Sequence, residues 1–264
     1  PITNHNVSSA ASDVYKRQKY QMEKTVKPNQ NNPETKKIQV TKMFNGISSN
    51  YDILNKIITL GIDTIWRKRV VSLVKKNKHD SILDIATGTG DLVLALAKLK
   101  TSKIIGLDIS PGMLSIGKEK VVSKCLENRI NMMLGDSESL KFDDAYFDVV
   151  TVAFGVRNFE NLEKGLQEIN RVLKPKGVLV ILETAVPKNQ ILKSLYTFYT
   201  QNIIPFMSSI FFKDHSAYQY LSDSAANFQH GEAFNNILRE NGFIDVDDFP
   251  QTLGVSSIYF AKKS

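Results

Sequence analysis

The chain has 264 residues, 42% hydrophobic and 23% charged, which is room for one well-buried domain with an elaboration but not for two large ones. Its single cysteine, Cys125, excludes an intramolecular disulfide framework, argues against a cysteine metal site and suits a reducing cytoplasm. The net charge of +7 is local: residues 1–42 hold eight Lys/Arg against three Asp/Glu and the remaining 222 hold 26 against 24, so a basic tail and not a nucleic-acid-binding face carries the excess.

No run of 18 apolar residues is present, so no transmembrane helix is expected, and the N-terminus lacks the apolar segment of a signal peptide. Residues 1–37 combine scattered charge, several asparagines and no sustained apolar period, and are expected to be a disordered tail. Its opening stretch, PITNHNVSSAASDVYKRQ, has nothing to pack and reads as foreign sequence ahead of a natural start near Met22. A single domain is expected over 38–264. Within it, 38–78 reads as an N-terminal helical lid. Val40, Met43, Phe44 and Ile47 fall at helical spacing, Ser48-Ser49-Asn50 interrupts, and Tyr51-Asp52 opens a second helix. A third helix continues through Trp66 and Val70. Tyr51 and Asp52, at the break, are candidate functional residues; packing is the plainer reading of their neighbours.

Ser81–Asp108 reads as strand, glycine turn, helix, strand. Ser81–Ala86 is a short apolar run of the kind buried on both faces in a parallel sheet. Thr87-Gly-Thr-Gly90 supplies two residues that take positive φ and let a ligand approach the backbone. Asp91 is expected to cap a helix through Lys98, and Lys103–Leu107 is the next strand, followed by Asp108. In open α/β sheets ligands bind outside these carboxyl ends. A dinucleotide fingerprint would read G-x-G-x-x-G with a pyrophosphate at the helix start. Here Ala86, Gly88 and Gly90 are followed by an acid, which repels phosphate and suits a ligand with a positive centre. The Asp84…Gly88-x-Gly90…Asp108 pattern resembles the first two motifs of the class I S-adenosylmethionine-dependent methyltransferases, whose second acid binds both ribose hydroxyls.

Ser110-Pro111 starts the next helix, with Ser as cap and Pro in the first turn. Asn131–Leu134 is a third strand ending at Gly135-Asp136-Ser137, an acid and a hydroxyl able to reach an adenine edge. Phe147–Ala153 is a fourth, followed by Phe154-Gly-Val-Arg-Asn158. Leu162–Leu173 is an amphipathic helix, Lys174–Gly177 a turn, and Val178–Leu182 a strand ending at Glu183. Residues 187–230 break the alternation with nine of the chain's 23 Phe/Tyr residues. That much apolar surface favours a hydrophobic substrate pocket, with a dimer contact or a membrane-surface helix as alternatives. Gly231–Glu240 reads as a helix, and Phe243–Pro250 with Val255–Ala261 as two final strands paired at the sheet edge.

Together YDILNKIITLGIDTIWRKRVV, LDIATGTGD, GLDISPGML, GDSESLKFDDAYFDVVTVAFGVRN, EINRVLKPKGVLVILE and FKDHSAYQYLSDS resemble the ubiquinone/menaquinone-biosynthesis C-methyltransferases. The Y-D-x-x-N, F-G-x-R-N and Y-x-Y-L-x-x-S stretches are not general methyltransferase motifs. The resemblance runs from about Lys36 to the C-terminus. It implies a Rossmann-like α/β fold, a seven-stranded mostly parallel sheet with helices on both faces, a helical lid and a helical insert before the last two strands. It implies S-adenosyl-L-methionine as cofactor, with Thr89, Asp108, Asp136 and Ser137 in contact and Asp84, Gly88 and Gly90 completing the expected cofactor-binding set. A family serine is replaced by Ala153, and Ala86 replaces the superfamily's first motif glycine.

The chemistry expected is C-methylation of a polyprenylated hydroquinone, demethylmenaquinol in preference to its benzoquinol counterpart. An activated methyl needs an aligned, electron-rich ring and control of a phenol proton. Arg157 can stabilise phenolate, Asn158 can orient a water or the second ring oxygen, and Tyr51 lies at the same mouth. No metal is required. A prenyl tail in the aromatic insert would place the enzyme at the inner face of the membrane without spanning it; a homodimer stays open. The alternatives are a methyltransferase on another lipophilic phenol or a sterol, a non-catalytic scaffold of a quinone-synthesis complex, and a NAD-dependent enzyme.

Overall fold

The computed structural model describes residues 26–101, 103–204 and 216–264. Seven strands form one sheet: β1 (Ser81–Ile85), β2 (Lys103–Asp108), β3 (Ile130–Leu134), β4 (Phe147–Ala153), β5 (Leu173–Thr184), β6 (Phe243–Gln251) and β7 (Ser256–Lys263), in the order β3-β2-β1-β4-β5-β7-β6. The first five are parallel, and β7 runs antiparallel between β5 and β6. Strand order reverses between β1 and β4, so the carboxyl ends of β1, β2 and β4 open onto a crevice.

The sheet is buried on both faces, which is why its strands read as unbroken apolar runs. Leu83, Ile85, Val150, Val152, Leu179 and Ile181 face one core, completed by Leu166, Ile169 and Val172 of α6 (Leu162–Val172). Ile82, Ile104, Val149, Val178 and Val180 face the other, under α3 (Asp63–Lys75), α4 (Asp91–Leu96) and α5 (Pro111–Ser123). Most of these side chains are fully enclosed, each contributing about 1.5–3 kcal/mol of burial.

Several boundaries differ from the sequence reading. Residues 26–37, assigned there to a disordered tail, hold defined contacts. Gln39 accepts the Asn29 N–H and donates to the carbonyls of Asn32 and Glu34, and Thr35 caps α1 (Lys36–Ile47). Residues 1–25 lie outside the described residues. Asp91 does not cap α4: Gly90 does, at φ +84°, and Asp91 is the first helical residue of a helix that stops at Leu96. Lys174–Gly177 is an irregularity inside β5, which pairs with β4 at Leu173 and again from Val178. Of the last two strands only β6 is at the edge.

Before the sheet, α1 is followed by a 3-10 turn (Ser48–Asn50), α2 (Tyr51–Thr59) and α3. Between β5 and β6 lie α7 (Gln190–Phe198), a π turn (Tyr199–Ile203), α8 (Ser216–Asn227) and α9 (Glu232–Glu240). The apolar stretch Pro205–Phe212 and His215 lie outside the described residues.

Candidate active site

The turn after β1 is built from left-handed residues: Ala86 (φ +52°), Gly88 (+56°) and Gly90 (+84°). It is tied to β2 at two points. Thr87 N donates to the Leu107 carbonyl at 3.0 Å, and Gly88 N to Asp108 Oδ2 at 2.8 Å. Asp108 Oδ1 accepts Ser110 N at 2.8 Å. Burial raises the Asp108 pKa, and the surrounding N–H groups of Ser110, Gly88 and Ile109 oppose that. Each oxygen keeps a lone pair for a further donor.

Asp84, at the core of β1, turns inward. Its oxygens accept the hydroxyls of Thr151 and Thr87, both at 2.6 Å. Gly106 makes this possible, since a Cβ there would lie 3.0 Å from Thr87 Oγ1. Burial pushes Asp84 up to about 7 against the pull of both hydroxyls and Arg67.

A cleft runs from this loop past Asp108 to the end of β3, where Asp136, Ser137 and Glu138 line it. The opposite wall belongs to α1 and α2 through Lys37, Val40, Phe44 and Tyr51. Lys37 bridges the walls, reaching Asp136 Oδ2 at 2.8 Å and Glu138 Oε2 at 3.3 Å. Asn45 Oδ1 accepts Ser110 Oγ and Gly112 N, fastening the same helix to α5.

Beside the loop is a smaller recess, which Thr89, Asp91, Arg67 and Asp84 line. Thr89 Oγ1 donates to Asp52 at 2.6 Å and accepts from Lys120 at 3.1 Å; Lys120 also pairs with Asp52 and Asp91. Arg67 pairs with Asp63 and lies 3.6 Å from Asp91 Oδ2. Its buried Nε has no partner among the described residues.

The third cavity, about 270 Å³, is mostly apolar and is walled by α2, α3, α7 and α8. Leu54, Ile58, Trp66, Tyr196, Tyr199 and Leu221 are among its lining, and Arg157 is its one cation among the described residues. Arg157 Nη1 donates to Glu183 Oε1 and to the Phe154 carbonyl, and Nε lies 3.4 Å from Ser224 Oγ. Burial works against the Arg157 charge, but Glu183 with Tyr51 and Tyr220 together outweigh it, so the net shift is upward and the guanidinium stays ionised. Glu183 Oε1 also takes Thr184 N and Oγ1, while its Oε2 is buried without a partner among the described residues. Asn158 donates to the Phe154 carbonyl at 3.3 Å and accepts the Tyr220 hydroxyl at 3.0 Å. Burial raises the phenols of Tyr220, Tyr196 and Tyr51, so all three remain protonated donors at neutral pH. Tyr51 and Phe154 line all three cavities and mark where they meet.

Of the residues singled out in the sequence, Tyr51, Gly88, Asp108, Asp136, Ser137 and Asn158 therefore share the cleft, and Arg157 faces the apolar cavity. Asp84 and Thr89 lie off the cleft in the recess, and Gly90 packs against Met132 and Gly117. Glu183 was visible as an acid at a strand end, the position that also marks Asp108. Lys36, Lys37, Asn45 and Lys120 carried no such signal.

The cleft brings the Asp108 and Asp136 carboxylates and the Ser137 hydroxyl together between apolar walls from Val40, Phe44 and Met113. Nothing lies within 4 Å of where a Gly88 Cβ would be, so that backbone is open to a ligand. The fold and this cleft define a class I S-adenosylmethionine-dependent methyltransferase. The solved structure of a SAM-dependent methyltransferase from Aquifex aeolicus superposes with a TM-score of 0.56 at 17% identity, over 75% of this chain and 89% of that one. The fold alone does not fix the reaction, since the [4+2]-cyclase SpnF superposes with a TM-score of 0.54 at the same identity, over 74% of this chain and 80% of that one. The chain belongs to the ubiE/COQ5 methyltransferase family, whose model matches residues 31–263. The demethylmenaquinone methyltransferase of Bacteroides fragilis is 42% identical over 92% of this chain and 99% of its own length. That of Chlorobaculum tepidum is 40% identical over 85% and 92%. The ubiquinone/menaquinone biosynthesis C-methyltransferase UbiE of Geobacter sulfurreducens is 37% identical over 85% and 88%.

Proposed function

We propose that the chain methylates a ring carbon of demethylmenaquinol, with the ring at the junction marked by Tyr51 and Phe154 and the polyprenyl tail in the apolar cavity. The observation that carries this reading is the placement of one buried, charged guanidinium, Arg157, on the wall of a mostly apolar cavity that meets the Asp108 cleft at Tyr51 and Phe154. The names of the relatives support it.

S-adenosylmethionine, when bound, supplies a methyl group already activated by its sulfonium. The remaining work belongs to the chain: alignment, exclusion of water and control of the quinol proton. Asp108 would hold the ribose hydroxyls, and Asp136 with Ser137 the adenine edge; Gly88 would let the backbone approach. Arg157 would lower the pKa of the quinol hydroxyl by stabilising its oxyanion, which makes the ring carbon nucleophilic. Asn158, held by Tyr220, would orient the same oxygen or a water on it. As the new carbon–carbon bond forms, the displaced ring proton must leave through a water or one of these polar groups.

No helix among the described residues is long and apolar enough to cross a membrane. Ile191, Leu195 and Phe198 form an exposed apolar stripe on α7, and Leu60 and Leu253 are exposed as well. Such side chains support docking at the lipid surface that holds the quinol.

The test supplies methyl-labelled cofactor with a short-tailed demethylmenaquinol, its oxidised quinone and the corresponding benzoquinol. Label in the reduced naphthoquinol, lost in Arg157→Ala while S-adenosylhomocysteine still binds, supports the function and the role. Label in both reduced rings would make the tail the main handle. Cofactor binding with no methylated ring would refute the substrate assignment.

A further inference from the structure

One buried charge is not used by any step above. Lys36, in the first turn of α1, is 7% exposed, and its ammonium donates to the carbonyl of Arg157 at 2.8 Å and to that of Phe159 at 2.9 Å. Arg157 belongs to the 3-10 turn Val156–Asn158 and Phe159 is the residue that caps it, so both carbonyls lie at the C-terminal end of the turn, where its own ladder leaves carbonyls without partners. Burial and the facing Arg157 draw Lys36 down to about 8, against the pull of Glu138 and Glu160, so this contact is held at a cost. The turn needs holding, because it follows Phe154, whose φ of +57° is disfavoured for a side chain of that size. From the other side the Arg157 and Asn158 side chains both donate to the Phe154 carbonyl.

The next residue, Lys37, grips Asp136 and Glu138, and Val40 and Phe44 of the same helix wall the Asp108 cleft. Whatever seats α1 on the cleft therefore also seats Lys36 on the turn that bears Arg157 and Asn158. We propose that Lys36 is a positioning residue for methyl transfer, fixing the Arg157–Asn158 turn and coupling its geometry to the seating of α1 over the bound cofactor. The proposal rests on the role given to Arg157 above and adds to it a thermodynamic link. Cofactor binding orders the catalytic turn, and by reciprocity the ordered turn favours cofactor.

The test is hydrogen exchange on the full chain with and without S-adenosylhomocysteine, alongside steady-state kinetics with reduced short-tailed demethylmenaquinol. In the wild type the ligand should protect both 36–47 and 154–160. In Lys36→Met protection of 36–47 should persist and that of 154–160 should be lost, with kcat reduced about tenfold and the quinol KM little changed. Lys36→Arg, which keeps the donors, should recover most of both. Lys36→Leu, which also removes the donors, carries the same comparison if the methionine variant does not fold. Unchanged protection of 154–160 in the variant, absence of that protection in the wild type, or a kcat within about threefold of wild type would overturn the proposal. Full activity in Arg157→Ala would instead remove the reading of Arg157, while the exchange result would still report on the turn alone.

Discussion

Gly155 sits where the turn bearing Arg157 passes the glycine loop, and its replacement by alanine is a sharp probe of that approach. A Cβ at Gly155 would lie 2.5 Å from Ala86 Cβ and 3.0 Å from Val152 Cγ1. Carbon atoms pack at about 3.5–4 Å, so the two loops must part by about 1 Å. Ala86 Cβ is fixed to its backbone and cannot swing aside. Overpacking of this kind costs about 1–3 kcal/mol, and a displacement of about 1 Å between reacting groups costs about a hundredfold in rate. Gly155→Ala should therefore lower kcat by roughly two orders of magnitude with a moderate fall in Tm. Gly155 has φ −112°, so alanine brings no backbone strain of its own. The clash should then be reversible from the other side: Ala86→Gly removes the opposing atom and relieves a left-handed alanine at φ +52°. The double variant should regain most of the lost kcat, measured at saturating cofactor and quinol. Wild-type activity in Gly155→Ala, or no recovery in the double variant, would refute the reasoning.

Asp84→Asn should reveal a pH-dependent penalty. The folded carboxyl titrates near 7, above its ordinary range, so the wild type gains from the bound proton at low pH and loses that gain as pH rises through 7. The variant does not titrate, so without cofactor its Tm relative to wild type should climb from about pH 4 to about pH 7 and level off above; a constant difference would contradict the assignment. Asp108→Asn keeps one acceptor where the structure uses two, for Gly88 N and Ser110 N, and should weaken S-adenosylhomocysteine by about ten- to a hundredfold in calorimetry. Leu195→Glu with Phe198→Glu, on the exposed face of α7, should abolish co-sedimentation with vesicles of mixed anionic and neutral lipid while leaving turnover of a soluble short-chain quinol intact.

The frame was legible because its strands are buried on both faces. Phe147–Ala153 was read residue for residue from an unbroken apolar run, and acids directly after or within such runs flagged Asp84 and Asp108, while Glu183, at the end of another such run, was given no role. What escaped was tertiary. Residues 26–37 look like a tail by composition, yet Gln39 and Lys36 tie them down through bonds to backbone carbonyls. No local pattern announces such bonds. Asp91 was a reasonable cap, but Gly90 adopts the left-handed conformation that the turn requires, which leaves the acid free to pair with Lys120. The helix boundary at Val172 was missed by one residue, well within what end fraying allows.

The charges around the junction explain why Arg157 needs a partner. A lone buried guanidinium would be costly and would repel a sulfonium brought within a few ångströms. Paired with Glu183 it is neutral overall, so a cationic cofactor can enter without repulsion. A quinolate held at the junction would balance the charge of a sulfonium there. The pair also fixes direction. Glu183 Oε1 and the Phe154 carbonyl hold Nη1, and Ser224 faces Nε, on a residue that lines the cavity. A lysine at 157 would keep the charge but lose this fork, with one donor group unable to serve the pair and the substrate in fixed geometry. Arg157→Lys should accordingly retain cofactor binding and lose most of kcat, and a fully active lysine variant would reduce the role of Arg157 to charge alone.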